Sequence, residues 1–234
     1  MRFLILSQYF PPESGAAPAR LAAFAKQLQA FGHQVEVVTA VPNYPGGRIF
    51  PEYKGIAYKH EFWHEVSVHR VWVYPSAGIG LGRMFNYGSF ALTSLVGLVK
   101  STRPDYIFTE SPPLSVSFPG FLGSLAWRSR VIFNISDLWP DSVVAMQVMR
   151  EGWAIRRARD VERWSYHHAR YICAVTEGIR DGLLRKGVPP DKILFGGGRA
   201  RSRALQVAIA SAFACRGAAG WRRTCWANSN GELT

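Results

Sequence analysis

Residues 2–20 read RFLILSQYFPPESGAAPAR, from Arg2 to Arg20. The unbroken apolar run Phe3 to Leu6 suits a strand covered on both faces, and the predicted strand is Arg2–Ser7. Pro11, Pro12, Glu13, Ser14, Gly15, Ala16 and Ala17 form a loop, and a helix is predicted from about Pro18 to Phe31. Leu21, Phe24, Ala25 and Leu28, three and four apart, give that helix one apolar stripe, and Gly32 is its stop. A buried strand, a glycine-bearing loop and an amphipathic helix make the first βα unit of an α/β domain.

The same grammar continues to residue 195. Further strands are predicted at Gln34–Thr39, Val68–Tyr74, Asp105–Thr109, Arg130–Ile135 and Tyr171–Val175, with a short one starting at Lys192. Helices are predicted over Arg83–Ser101, after Pro113, over Trp153–Ala169 and over Glu177–Lys186. The fold class is therefore α/β: a Rossmann-like parallel sheet with helices on both faces. The helix Arg83–Ser101 is apolar almost all round, which reads as buried or interfacial. The stretch Val41–Gly55, VPNYPGGRIFPEYKG, is too long for a tight connection and reads as a functional loop.

Composition narrows the class. The 234 residues are 48% hydrophobic and 13% aromatic, enough for a sizeable core. The apolar run at the N-terminus is too short for a secretory signal. Met84 to Val99 falls short of the ~20 residues a membrane-spanning helix needs. Three cysteines, one of them Cys173 in an apolar run, suggest no metal spacing and no disulfide framework, so a cytoplasmic setting is the default. The net charge is +12. A basic surface attracts nucleic acid, anionic lipid or phosphorylated substrates, and charge alone does not choose.

Residues 196–234 break the grammar. They hold six arginines against one acid, Glu232, with Cys215 and Cys225 among them. Two readings compete: a genuine basic tail, or translation out of frame in a GC-rich gene. The second is preferred, so 1–195 is taken as the domain and 196–234 as an irregular, out-of-frame or disordered tail.

Three motifs lie where strands end. Gly15 allows backbone to approach a ligand, and a helix N-terminus favours phosphate, although no G-x-G-x-x-G fingerprint is present. The plainer reading is a tight turn. Asp137-Leu138-Trp139-Pro140-Asp141 follows a strand directly. Asp137 could orient a hydroxyl or face positive charge on a sugar, Trp139 could stack on a ring or pack in the core, and Asp141 could cap a helix. Glu110, in Thr109-Glu110-Ser111-Pro112-Pro113, faces the same edge, the plainer reading being a helix start capped by Ser111. Arg156, Arg157, Arg159, Arg163 and Arg170 form a basic helix with internal pairs such as Arg156–Asp160, a solvated face more readily than a membrane-binding one. His167 and His168 read as its C-terminal end, not as metal ligands.

Together these residues resemble a known family. RFLILSQYFPPESGAAPAR, GHQVEVVTAVPNYPGGRIFPEYKG, SDLWPDSVVAM and AVTEGIRDGLLRKGVPPDKI are similar, in order, to the N-terminal half of retaining glycosyltransferases of family 4. The closest resemblance is to the branch that builds O-antigen, capsule and colanic-acid-type polysaccharides. The resemblance implies the acceptor-side half of a GT-B fold, transfer with retention from a nucleotide-sugar, and no metal or other cofactor. It implies a glycan or polyprenyl-diphosphate-linked acceptor and contact with the cytoplasmic face of the membrane. No nucleic-acid partner is expected, because the arginine-rich tail lacks aromatic interleaving and any recognition fold. By position, Ser14, Gly15 and Ala16 would line the cleft near the donor phosphates. Asn43, Tyr44, Glu110 and Trp139 would meet the acceptor, and Asp137 would sit by the reacting sugar. After Ile193 the family's linker into a donor domain is expected, but LFGGGRARSR follows. This chain alone is therefore expected to be inactive. The alternative is an acceptor-binding module that pairs with a separate donor-domain subunit.

Overall fold

The computed structural model describes residues 1–78, 80–147 and 151–195. The expected tail, 196–234, lies outside the described residues. In chain order the elements are β1 (Arg2–Leu6), α1 (Ala16–Ala30), β2 (Gln34–Ala40), β3 (Tyr58–Trp63), β4 (Val66–Val71), α2 (Leu81–Lys100) and β5 (Tyr106–Ser111). Then follow α3 (Ser117–Trp127), β6 (Arg130–Ile135), α4 (Asp141–Ala145), α5 (Trp153–His168), β7 (Tyr171–Ala174), α6 (Glu177–Arg185) and β8 (Ile193–Leu194).

They build one sheet in the order β3-β4-β2-β1-β5-β6-β7-β8, parallel everywhere except for the edge hairpin β3–β4. The expected α/β class therefore holds. The expected parallel sheet gains one antiparallel edge strand, β3, that the sequence reading did not include. Its sequence, YKHEFW, is half-exposed and rich in charge, as an edge strand tolerates. The hairpin turns at His64, at positive φ, without the glycine that usually marks such turns.

Each inner strand is covered on both faces. Phe3 and Ile5 of β1 meet Leu21, Phe24 and Leu28 of α1 on one side. Leu4 and Leu6 meet the core under α2 on the other, with Val38, Val71, Phe90 and Leu98. A third cluster joins Phe133 and Ile135 of β6 to Tyr166 of α5 and Leu183 of α6. Cys173 is a buried core residue, as expected, and burial pushes its thiol pKa up.

Helix α2 buries Phe90 and Leu98 in the core, yet its outer face is apolar too. Asn86 and Ser94 are buried, while Leu81, Met84, Phe85, Leu92, Val96 and Val99 are exposed. The inward polar groups bind the chain that leaves β4. Asn86 Nδ2 donates to the Tyr74 carbonyl at 2.7 Å, the Tyr74 N–H donates to Ser89 Oγ at 2.8 Å, and Thr93 Oγ1 donates to the Trp72 carbonyl at 2.6 Å. Residues 72–74, expected as strand, leave the β4 ladder: Trp72 N–H still donates to the Ala57 carbonyl at 2.9 Å, and the Trp72 carbonyl and both backbone groups of Tyr74 bind the polar stripe of α2. Close packing requires Gly97, where a Cβ would lie 2.6 Å from Val38 Cγ1.

Two smaller expectations are corrected. Ser111 caps no helix but ends β5, and α3 begins only at Ser117 after a 3-10 turn over Leu114–Val116. Asp141 is the first residue of α4, not its cap. Its carboxylate pairs with Lys186 at 2.6 Å and Arg159 at 2.9 Å. Burial raises the Asp141 pKa, but these two cations outweigh burial and hold it below the usual range. On α5 the partners of Asp160 are Arg163, at 2.6 Å, and Arg157, at 3.6 Å, in place of Arg156.

Candidate functional site

Strand order reverses direction between β1 and β5, which makes the carboxyl ends of these strands the switch point of the sheet. Ligands of open α/β sheets bind there. The loop from β1 to α1, the loop after β2, Glu110 at the end of β5 and the residues after β6 converge on this edge.

The first loop opens the N-terminus of α1 to solvent. Ser14, Gly15 and Ala16 are all exposed. Gly15 sits at φ +142°, a conformation essentially closed to side-chain-bearing residues. No side chain caps this 15-residue helix, Pro18 has no N–H and the Ala19 N–H bonds to the Gly15 carbonyl, so the N–H groups of Ala16 and Ala17 are left without a side-chain cap. That arrangement favours an anion.

Two buried charges shape the loop. Glu13 is 4% exposed, and its Oε1 accepts the backbone N–H groups of Asn43 and Tyr44, each at 2.8 Å. Its Oε2 accepts the Phe10 N–H at 3.3 Å. Burial pushes the Glu13 carboxyl pKa up to about 7, against the opposing pull of these three N–H groups and of Arg70. Arg70, 1% exposed on β4, donates to the Pro11 carbonyl and pairs with Glu61 of β3. The edge hairpin thus supports the loop from below.

Asn43 and Tyr44 differ in posture. Asn43 is buried and its side-chain amide donates to the Val41 carbonyl at 3.0 Å, so it shapes the loop. Tyr44 is half-exposed, its ring centroid 5.4 Å from that of Tyr9 and its edge beside Gly15. Arg83, stacked on Tyr87 at 4.9 Å, extends this aromatic mouth onto the first turn of α2.

On the other side of the switch point, the Glu110 carboxylate is enclosed. It pairs with Arg20 of α1 and accepts from Asn134 and Ser136 of the β6 strand and its end. Arg20 also donates to Ser136 Oγ at 2.6 Å. Burial raises the Glu110 pKa, opposed by Arg20, Ser136 and Asn134. Glu110 thus ties α1 to β6 from within, with only 3% of its side chain exposed. Asp137, next after Ser136, is half-buried, and its Oδ2 accepts from Ser142 Oγ at 2.7 Å. Trp139 packs against the β6–β7 core while staying partly exposed.

The structure therefore brings Ser14–Ala16, Tyr44 and Asp137 to one solvent-facing edge, with Asn43 and Glu110 turned inward as its frame. Sequence reasoning missed Glu13, Arg20, Arg70 and Arg83. Glu13 stood inside the quoted loop motif, whereas Arg20 and Arg70 are paired with residues 90 and 9 positions away, which no local pattern reveals. Among the described residues no cluster of His, Cys, Asp and Glu could hold a metal ion, and no helix is long and apolar enough to cross a membrane.

Known proteins share this framework. The chain is 27% identical over 203 residues to a protein of Escherichia coli (strain K12) named as a colanic acid biosynthesis glycosyl transferase, WcaI. That match covers 83% of this chain and 49% of the relative, so the chain spans about half the length of the curated relative it matches. Among solved structures, sucrose-phosphate synthase from Thermosynechococcus elongatus superposes with a TM-score of 0.56 at 17% identity, over 84% of this chain and 48% of that one. A second structure of that synthase, a part of its chain, gives 0.55 at 13% identity, over 92% and 97%. These likenesses support the fold, a Rossmann-like half of the GT-B kind. The model of the glycosyl transferase 4-like domain matches residues 15–195, from the exposed glycine at the head of α1 to the end of the described chain, and the chain belongs to that family.

Proposed function

We propose that this chain supplies the acceptor-side wall of a glycosyl-transfer site used in building cell-surface polysaccharide. A nucleotide-sugar gives up its sugar to a hydroxyl of a saccharide, in our reading a lipid-linked one. The bond between the anomeric carbon and the diphosphate oxygen breaks, a glycosidic bond to the acceptor oxygen forms, and the hydroxyl proton passes to the nucleoside diphosphate as it leaves. The anomeric configuration is retained and no metal takes part.

The observation that carries this reading is the uncapped N-terminus of α1 at the switch point, with Asp137 on the neighbouring strand end. The Ser14–Ala16 N–H groups would face the donor phosphates and stabilise the charge that grows on the leaving diphosphate. Tyr44 would border the acceptor. Asp137 would stand beside the reacting sugar, where a carboxylate stabilises developing positive charge. Glu110 and Asn43 would hold this frame without touching substrate, and Trp139 would flank Asp137. The name of the Escherichia coli relative supports the polysaccharide context.

A site with one wall does not hold donor and acceptor together. The chain alone should then transfer no sugar. The test is a transfer assay with radiolabelled nucleotide-sugars and a bacterial lipid extract. It is run on the chain alone and on the chain mixed with, or fused to, the second half of the Escherichia coli relative. Transfer that needs the second half supports the proposal, and activity in the fusion only would exclude the reading as a self-assembling split enzyme. Transfer by the purified chain alone overturns the one-wall account.

A further inference from the structure

We infer that Arg83 and the tyrosine hydroxyls around it form a binding site for a phosphate group, beside the N-terminus of α1 and distinct from it. The observation is a half-buried cation without a counter-charge. Arg83 lies in the first turn of α2, where the helix dipole disfavours positive charge. No acid stands in that turn, and among the described residues Arg83 forms no ion pair; its hydrogen-bond partner is the Tyr87 hydroxyl. A charge set against local preference and left without compensation in the fold points to a functional position.

The fold holds the cation in place. One turn beyond it, Asn86 Oδ1 accepts from Gln8 Nε2 at 2.6 Å, which ties α2 to the carboxyl end of β1. Arg83 Nε donates to Tyr87 Oη at 2.9 Å, and the guanidinium stacks over the same ring. That contact uses one of its five N–H groups. The two terminal NH₂ groups have no hydrogen bond among the described residues, and this planar pair is the fork that grips an oxyanion.

Further donors gather round it. The Tyr9 hydroxyl is buried and has no hydrogen-bond partner among the described residues. The Tyr87 hydroxyl accepts from Arg83, so its own proton is directed elsewhere. The Tyr44 ring packs against that of Tyr9. Burial raises the Tyr9 pKa, and Arg83 is the strongest influence pulling it back. Burial lowers the Arg83 pKa, but Tyr9, Tyr87 and Tyr44 outweigh burial and raise it. The three phenols and the guanidinium therefore share one small volume. Glu13, the carboxylate beside them, is already committed to three backbone N–H groups.

A cluster rich in donors and poor in acceptors, built on a fixed guanidinium, suits an oxyanion better than a neutral sugar, whose hydroxyls also need acceptors. Four donor groups exceed what the two oxygens of a carboxylate can use and match the several oxygens of a phosphate. Tyr44 borders both anion sites, because its Cε1 lies 3.5 Å from the place a Cβ on Gly15 would take. A phosphate on the acceptor and a phosphate on the donor present the same chemistry to Arg83, and the experiment separates them. The inference goes beyond the transfer reading, since phosphate binding needs no second half.

The test is isothermal titration of the full chain with inorganic phosphate, glucose 1-phosphate, UDP and glucose. Arg83→Gln, Arg83→Lys and Tyr9→Phe are compared with Arg157→Gln, which removes an exposed charge on α5. Phosphate-bearing probes should bind and glucose should not. Arg83→Gln should weaken binding about tenfold or more, Tyr9→Phe severalfold, and Arg157→Gln not at all. Arg83→Lys should recover only part, because a point charge lacks the planar pair. In urea, Arg83→Gln should be at least as stable as wild type, since it removes a cation from the positive end of a helix; an arginine with a structural role would lose stability. A loss confined to inorganic phosphate and glucose 1-phosphate places the site on the acceptor side, and a loss confined to UDP places it on the donor diphosphate. Equal affinity of wild type and Arg83→Gln for every probe, or no binding by the folded chain, overturns the inference. Absence of transfer by the fused chain would refute the transfer reading and leave an Arg83-dependent phosphate site standing.

Discussion

Glu13 offers the sharpest test of how the site is held together. Its carboxylate takes three backbone N–H groups, from Phe10, Asn43 and Tyr44, and so pins the loop after β2 to the loop after β1. Glu13→Ala strands all three donors, those of Phe10 and Asn43 in a buried place and that of Tyr44 in a partly buried one. At about 1–3 kcal/mol for each of the three stranded groups the loss should be about 3–9 kcal/mol, toward the lower end because the bond to Phe10 is 3.3 Å long. Glu13→Gln keeps an oxygen for Asn43 and Tyr44 and forfeits only the Phe10 bond, so it should cost about 1 kcal/mol where Glu13 is protonated.

The pH dependence follows from the same geometry. The carboxyl is raised from 4.5 to about 7 in the folded chain, so the folded state holds the proton longer than the unfolded state does. Its contribution is therefore complete below pH 4.5 and is lost as pH rises to about 7. Converted at 1.36 kcal/mol per pH unit, the loss is about 3 kcal/mol. Urea denaturation of wild type and Glu13→Gln across this window measures it. The difference between the two should move steadily in favour of the glutamine variant as pH rises. Parallel stability profiles would refute the argument, because they would mean that Glu13 does not titrate between the two states.

Two further substitutions probe the frame. Arg20→Met removes the cation from the enclosed Glu110 carboxylate and should destabilise the fold by roughly 3–5 kcal/mol in urea titrations, with partial recovery when Glu110→Gln is added. Gly97→Ala drives a methyl group to within 2.6 Å of Val38 and should cost about 1–3 kcal/mol in the same assay, part of it regained with Val38→Ala.

Most of the sheet was legible because its strands are continuous apolar runs between amphipathic helices. Phe3 and Ile5 pack with Leu21, Phe24, Ala25 and Leu28 in one unit, as their spacing implied, while Leu4 and Leu6 face the other core. The edge strand β3 was not legible, since Lys59, His60 and Glu61 satisfy the demands of an exposed edge and not those of a core strand. The extent of β4 was overestimated for a different reason. The ladder stops at Val71 because α2 offers Asn86, Ser89 and Thr93 to the backbone beyond it, a pairing over 12 to 21 residues. The site was legible as an edge, through Gly15, Tyr44 and Asp137. Its supports were not, because the Arg20–Glu110 and Arg70–Pro11 contacts exist only once the sheet has formed.

The most direct test of the transfer site is the rate of sugar transfer by the chain fused to the second half of its Escherichia coli relative, measured for Asp137→Ala beside Phe62→Glu. The account predicts that Asp137→Ala lowers turnover by at least about a hundredfold, the scale of a lost electrostatic stabiliser, in a protein that is still folded, while Phe62→Glu keeps the parent rate. Unchanged turnover in Asp137→Ala would contradict it and move the chemistry away from the carboxyl edge of β6.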